Sequence, residues 1–428
     1  MNVFEEAEYL DKKYNCFITI ANEEKGAPFA VKDNLCTKGL KTTAGSRILE
    51  NYTPSFDATA VARLKEKGFA VVGKAAMDEF GFGTFSVNTF KVPKNPIDVL
   101  RSCGGSSGGP AAIVAASKHI MFALATSTGG SISCPAAFCG VVGLTPTYGA
   151  VSRYGLIDYA NSLDKVGVIS KTVRDAAKVL SIIAGSDEKD STSLKVEKQD
   201  YTKFCGKDIK GLKIGVPKEY FEGVDKAVKE NVEAAIEKLR KLGAKVERIS
   251  LPLTKYALAA YYIIAMSEAS TNLAKYCGLR YGSALDLKGN FNEYFSEVRE
   301  QFFGKEAKRR VLLGTFVRMA GYREQYYLKA LKVRRMIIDE FEKAFENYDV
   351  IAAPTMPIIA PKFSEIEKLT PAQQYAMDIL TVTPNLAGLP HISVPCGFVG
   401  KMPVGLHLIG GHLQEGKIIQ VADMYERA

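Results

Sequence analysis

Apolar positions along the chain follow two alternating rhythms. Short runs read as strands: Pro28 to Val31, Phe69 to Val72, Ile120 to Thr126, Leu212 to Val216, Ala244 to Ile249, Tyr348 to Ala353 and His391 to Pro395. Between them, apolar residues recur three and four apart. Asp57 to Lys67 is predicted helical, with Asp57 as its N-cap and Gly68 as its stop. The segment after glycines 104–109, Thr172 to Ala184 and Asp225 to Leu242 are predicted helices too, and residues 254–347 are mostly helix-forming. Alternation of this kind predicts an α/β fold, with a mostly parallel or mixed central sheet covered by helices. No internal repeat and no low-complexity linker interrupts it, so residues 1–428 are read as one domain, with the helix-rich subregion at about 254–347 laid over the sheet.

Composition adds exclusions. Of 428 residues, 47% are hydrophobic and 24% charged, enough apolar material for a large core and too much for wholesale disorder. No apolar run approaches the roughly 18 residues of a membrane helix. Met1 to Tyr14 carries Glu5, Glu6, Glu8 and Asp11 in place of an apolar signal core, so a soluble, cytoplasmic protein with no membrane partner is expected. The eight cysteines form no C-x-x-C pair; reduced thiols and no metal site are expected. The net charge of +9 is spread along the chain with acidic residues close by. Even the densest basic cluster, Lys305, Lys308, Arg309 and Arg310, contains Glu306, and it reads as a solvated face rather than an RNA groove.

Three stretches carry candidate chemistry. In Phe29-Ala-Val-Lys32-Asp-Asn34 a lysine follows a short apolar strand directly, which draws it inward. Gly104-Gly-Ser106-Ser107-Gly-Gly109 and Thr128-Gly129-Gly130-Ser131 are glycine-rich and contain serine. Neither has the Lys-Ser or Lys-Thr of a P-loop, and neither forms G-x-G-x-x-G. Glycines also let backbone N–H groups approach a carbonyl closely, as an oxyanion hole requires. A serine nucleophile needs a base. The four histidines, His119, His391, His407 and His412, lie in no local triad signature, although partners distant in sequence leave a histidine triad open. The alternative is a lysine made neutral by burial, and Lys32 is the lysine best placed for it.

Together these stretches resemble a known family. Ala30-Val-Lys-Asp-Asn34, Met77-Asp-Glu-Phe80, Gly104 to Gly109, Thr128 to Ser131 and Cys139 to Tyr148 are similar to the amidase signature family, with the signature core at about 26–190. Tyr261 to Ser270, Lys308 to Thr315 and Asn385 to Cys396 resemble one branch of it, the subunits that make ammonia for tRNA-dependent amidotransferases. The resemblance implies the amidase signature fold, a mixed sheet with helices on both faces. It implies Ser131 as nucleophile, Ser106 as a bridging serine on a cis peptide, Lys32 as base, and the N–H groups of Thr128, Gly129, Gly130 and Ser131 around the oxyanion. Glutamine would be the substrate, with Arg310 at its α-carboxylate, Asp378 at its α-ammonium and Tyr261 in contact. The implied partners are a B subunit, which uses ATP and magnesium to activate mischarged tRNA (Glu-tRNA(Gln), Asp-tRNA(Asn) or both), and a small C subunit. No cofactor is expected in this chain itself.

Two departures stand beside the nucleophile loop. Ser127 occupies a position where the family usually has Asp, and Ser133 one where it usually has Arg. Loss of both charges together strands neither. The two catalytic serines are 25 positions apart, one more than usual, with the extra residue falling near Ser117 to Phe122. Two alternative readings are a stand-alone amidase acting on another amide and a catalytically silent scaffold within such a complex.

Overall fold

The computed structural model describes residues 1–21 and 25–428. Among them eleven strands hydrogen-bond into one sheet: β1 (Phe17–Ile20), β2 (Ala27–Lys32), β3 (Phe69–Ala75), β4 (Phe122–Ser127), β5 (Val142–Thr145), β6 (Lys165–Ser170), β7 (Lys213–Pro217), β8 (Lys245–Ile249), β9 (Val350–Pro354), β10 (His391–Val399) and β11 (Met402–Gly410). Their order is β1-β3-β2-β4-β6-β5-β10-β11-β9-β7-β8. The pairs β2/β3, β2/β4, β7/β8 and β7/β9 are parallel and the rest antiparallel, so the sheet is mixed, as expected.

The helices are α1 (Val3–Tyr14), α2 (Thr59–Lys65), α3 (Gly108–Ala116), α4 (Ser133–Cys139), α5 (Val173–Ile183), α6 (Lys226–Lys241), α7 (Thr254–Asn272), α8 (Phe291–Phe302), α9 (Lys305–Arg318), α10 (Lys329–Phe345), α11 (Phe363–Ile366), α12 (Pro371–Ala376), α13 (Ile379–Leu386) and α14 (Glu415–Arg427). They cover both faces of the sheet. Successive strand residues point to opposite faces. Val71 of β3 and Leu124 of β4 join a core that includes Val61 and Leu64 of α2 and Leu180 of α5. Their neighbours Val72 and Ala123 join a second core with Leu10 of α1, Ile113 of α3 and Ala136 of α4. Burial on both sides is why β4 and β9 read as continuous apolar runs rather than alternating ones.

The helix signals are met at Thr172, whose side chain caps α5, and at Asp225, which caps α6. They fail at Asp57. Ala58 holds the cap position of α2, and the Asp57 carboxylate instead accepts the backbone N–H of Lys38 at 2.8 Å. The 254–347 region is largely helical, as expected. Residues 117–121 form the loop between α3 and β4.

Strand β2 carries Lys32 at its C-terminal end, and its ring Phe29 holds that strand in place. Phe29 stacks on Phe122 of β4 at 5.5 Å between centroids and meets Phe69 of β3 edge-on at 6.3 Å. The Phe29→Ala substitution should cost about 3–5 kcal/mol of stability. It should appear in a urea titration as a lower midpoint with an unchanged slope.

Candidate functional site

The site is assembled where β2 and β4 end side by side. Lys32 has no solvent exposure. Its Nζ donates to Ser106 Oγ at 2.7 Å and to the carbonyl of Thr126 at 3.1 Å. Burial pushes the Lys32 ammonium down to about 7, against the opposing charges of Asp78 and Asp164. A lysine in that range supplies a neutral amine near neutral pH. Burial likewise raises Asp78 and Asp164, each to about 7.

Ser106 follows a cis peptide bond, Gly105–Ser106, in the loop before α3. The loop is fixed from several sides. Gly105 N–H donates to Thr84 O at 2.6 Å and Asp78 N–H to Ser106 O at 3.2 Å. The Asp78 carboxylate accepts the N–H groups of Ser86 and Asn88, both at 2.9 Å. No side chain fits at Gly105: a Cβ there would overlap Asp78 Oδ2 and lie 2.7 Å from Ser86 N.

The second loop runs from the end of β4 into α4. Ser131 is tied to the first loop through its carbonyl, which accepts Ser107 N–H at 3.2 Å. Ser106, Ser131, Thr128, Tyr159 and Asp164 line one cavity of about 10 Å³, room for a single water. Among the described residues, the N–H groups of Thr128, Gly129, Gly130 and Ser131 have no hydrogen-bond partner. All four belong to the loop that carries Ser131. A larger cavity, about 800 Å³ between Tyr52, Phe56 and Tyr276, contains none of the expected site residues.

Of the three residues expected to hold glutamine, Tyr261 and Asp378 reach the second loop directly, and Arg310 is linked to the serine cavity through Tyr159. Tyr261 of α7 shares a 2.8 Å hydrogen bond with Thr128 Oγ1. Asp378, just before α13, accepts from Tyr262 Oη at 2.6 Å and Thr84 Oγ1 at 3.0 Å. Its other oxygen lies 3.5 Å from where a Cβ of Gly130 would be. Burial raises the Asp378 carboxyl to about 6, against those two hydroxyl donors. Arg310 of α9 is ringed by Phe82, Tyr159, Tyr262 and Tyr375, its guanidinium 5.1–5.7 Å from each ring centroid. It donates from Nε to Glu306 at 2.8 Å and from Nη1 to Tyr159 Oη at 2.5 Å.

This corrects the reading of 305–310 as a solvated face: Arg310 and Glu306 are buried, 2% and 6% exposed. The basic run hides an i,i+4 ion pair on the inward side of α9. Tyr159, Tyr262, Tyr375 and Thr84 went unrecognised in the sequence because each belongs to the site through contacts 69 to 294 residues away in the chain, and Glu306, four residues from Arg310, was read as part of a solvated face. Asp78 was visible inside Met77-Asp-Glu-Phe80, but its role in holding the Gly105 turn was not.

The histidine alternative finds no support in the geometry. His391 approaches Ser133, not Ser131, with Nδ1 3.1 Å from Ser133 Oγ. Ser127 hydrogen-bonds the carbonyl of Gly129 at 2.9 Å. Both departures near the nucleophile loop thus place neutral hydroxyls in neutral hydrogen bonds. All eight cysteines are free, and among the described residues no group of three or more His, Cys, Asp or Glu side chains is arranged for a metal ion. Nor is any described helix long and apolar enough to cross a membrane.

Two buried serine-bearing loops, a buried lysine and unpaired loop amides define an amide-hydrolysing architecture. A family model described as Amidase matches residues 2–419, and the chain belongs to the amidase signature family. It is 51% identical over 425 residues to the A subunit of glutamyl-tRNA(Gln) amidotransferase from Persephonella marina, covering 99% of this chain and 87% of that protein. It is 52% identical over 410 residues to the protein of the same name from Methanococcoides burtonii, covering 95% and 86%. The crystal structure of the corresponding glutamyl-tRNA(Gln) amidotransferase A subunit from Thermotoga maritima matches with a TM-score of 0.84 at 43% identity, covering 98% of this chain and 90% of that one. The native peptide amidase from Stenotrophomonas maltophilia matches at 0.76 and 31%, covering 94% and 82%.

The tight turn offers a direct check of the loop geometry. Gly105→Ala forces Asp78 away from the amides it holds and should destabilise the protein by about 1–3 kcal/mol. Thermal unfolding should show the loss as a lowered midpoint together with impaired turnover. Ala at Gly206, which has open space around it, meets only the strain of a positive φ and should leave turnover unchanged.

Proposed function

We propose that this chain is the ammonia-producing component of a tRNA-dependent amidotransferase, hydrolysing the side-chain amide of glutamine in the cytoplasm. The observation that carries the reading is the 2.7 Å hydrogen bond from buried Lys32 to Ser106, on the cavity that also holds Ser131. Neutral Lys32 takes the hydroxyl proton of Ser131 through Ser106. Ser131 Oγ forms a bond to the amide carbon, and the oxyanion is held by the free N–H groups of residues 128–131. The proton returns to the leaving nitrogen, the C–N bond breaks, and ammonia departs from an acyl-enzyme ester. Water, deprotonated along the same path, cleaves the ester and releases glutamate.

Glutamine is a zwitterion, and the charges around the second loop suit it. Arg310 takes the α-carboxylate through the part of its fork not engaged by Glu306 and Tyr159. Asp378 takes the α-ammonium, which favours its ionised form over the buried acid. Tyr261 contacts the substrate from Thr128. The high identity to glutamyl-tRNA(Gln) amidotransferase proteins supports glutamine over other amides. Ammonia then passes to a separate B subunit, which activates Glu-tRNA(Gln), Asp-tRNA(Asn) or both with ATP and magnesium, while a small C subunit joins the two. No cofactor is assigned to this chain.

Reconstitution with B and C subunits tests the whole reading. With glutamine as donor, amidation of mischarged tRNA should proceed in the wild type and vanish in Ser131→Ala. With ammonium as donor, both should work. Amidation by the wild type with ammonium alone would instead make the chain a silent scaffold. Arg310→Ala should raise the KM for glutamine by at least about tenfold and lower kcat less, since it removes binding rather than bond-making.

The pH dependence has a definite sign. The base acts only when deprotonated, so kcat/KM for glutamine should rise with pH through an apparent pKa near 7. That midpoint belongs to Lys32 together with Asp78 and Asp164. Lys32→Arg, which cannot deprotonate, should be inactive across the range; an unchanged profile in Lys32→Arg would remove Lys32 as base.

A further inference from the structure

The second loop is gripped from behind by a buried polar chain that the mechanism above leaves unused. Asn385 of α13 donates from Nδ2 to the carbonyl of Gly129 and to Thr381 O at 3.2 Å, and the same nitrogen lies 3.1 Å from His391 Nε2. His391 Nδ1 lies 2.9 Å from His407 Nε2 and 3.1 Å from Ser133 Oγ. Asn385 is 1% exposed, and both histidines have no exposure at all.

The proton positions follow from the carbonyls. Turning the Asn385 amide over would aim its oxygen at two carbonyl oxygens, so the NH2 group faces Gly129 O and Thr381 O. His391 Nε2 must then be the bare nitrogen, and its Nδ1 carries the hydrogen. That hydrogen points at His407 Nε2 and Ser133 Oγ, which gives His407 the Nδ1–H form too, its buried Nδ1 having no partner among the described residues. Burial, with Lys165 nearby, holds both rings neutral; His407 is pushed down to about 3.

The Gly129–Gly130 peptide is trans, so its C=O and N–H point in opposite directions. Two side-chain donors, Asn385 and Ser127, hold the C=O on one side. We infer that Asn385, itself fixed by the His391–His407 pair, is a positioning residue that sets the direction of the Gly130 N–H in the oxyanion hole. Asn385 touches no reacting atom. It acts by preventing the Gly129–Gly130 peptide from rotating as negative charge develops on the substrate oxygen. The inference rests on the reading of Ser131 as nucleophile.

The test uses the full chain assembled with its partner subunits. Asn385→Ala should lower kcat for glutamine hydrolysis on the order of 10²-fold, the effect of one lost oxyanion donor, with KM changed by less than about threefold. Asn385→Asp keeps the shape but loses the donor and should fall equally. A variant that lost only packing would instead lose stability without this kcat-against-KM split. The second measurement needs no turnover: with 15N-histidine labelling, only four histidines contribute. Wild-type His391 and His407 should appear as neutral Nδ1–H rings down to pH 5, and the His391 Nε2 signal should move in Asn385→Ala. An Nε2–H form of His391 in the wild type would overturn the clamp, even if Asn385→Ala failed to fold. So would full kcat in Asn385→Ala beside an inactive Ser131→Ala, and there the nucleophile reading would survive. Full turnover in Ser131→Ala would remove the nucleophile reading, and the positioning role with it.

Discussion

The arrangement depends on keeping one amine dry. Lys32 ends a strand that lies between two parallel neighbours, β3 and β4, and the sheet leaves its Nζ only Ser106 and the Thr126 carbonyl to bond. An ammonium there loses its hydration, and the neutral amine gains correspondingly. Several features around it bear on that condition. The Gly105 turn brings Ser106 onto the amine without admitting solvent. Asp78 and Asp164 moderate the shift so that Lys32 stays near neutrality rather than far below it. The cavity beside the serines is no larger than a water.

Much of this frame was legible from local pattern. Strand runs at Pro28, Phe69, Ile120 and Leu212 and the helix over Asp225 to Leu242 mark real elements, because their burial gives them a period that the sequence displays. Lys32 stood out because a charge at the end of an apolar run is costly unless it has a purpose. The two glycine–serine loops stood out because no phosphate-binding motif accounts for them. Asp57 misled because its side chain fits a cap but is bonded to Lys38 across a loop. The short strands β1, β5 and β6 gave no separate signal: four to six residues of mixed character specify a strand only beside their neighbours.

What stayed hidden is the part built from distant contacts between unlike residues. Arg310 and Glu306 look like surface charges on a helix whose exposed face carries Lys305, Lys308 and Arg309. Only the four rings from separate elements show that this side of α9 faces inward. His391 and His407 lie on adjacent antiparallel strands, two residues apart in register, and become a pair only when β10 meets β11. Periodicity reports burial, but it does not report which buried polar groups meet.

The proposed reaction sets two requirements against each other, and the fold separates them in space. A neutral lysine needs a low dielectric and few charges. A zwitterionic substrate needs an arginine and a carboxylate. Lys32 and Ser106 come from the sheet and the loop before α3. Arg310, Asp378 and Tyr261 come from α9, the segment before α13, and α7. Tyr159 stands between, lining the serine cavity while its hydroxyl accepts from Arg310. Glu306 pairs with the guanidinium, and Arg310 acts on Asp78 only as a minor influence beside burial. The side that carries Lys32 also holds Asp78 and Asp164, whose charges oppose part of the shift that burial imposes, while the side proposed to recognise glutamine holds Arg310 and Asp378. An arginine placed beside Lys32 would drive that lysine's pKa further down, and a further carboxylate would push it back up. The helical subregion is therefore more than a cover for the sheet: its Arg310 brings a buried cation to the site without setting it against Lys32.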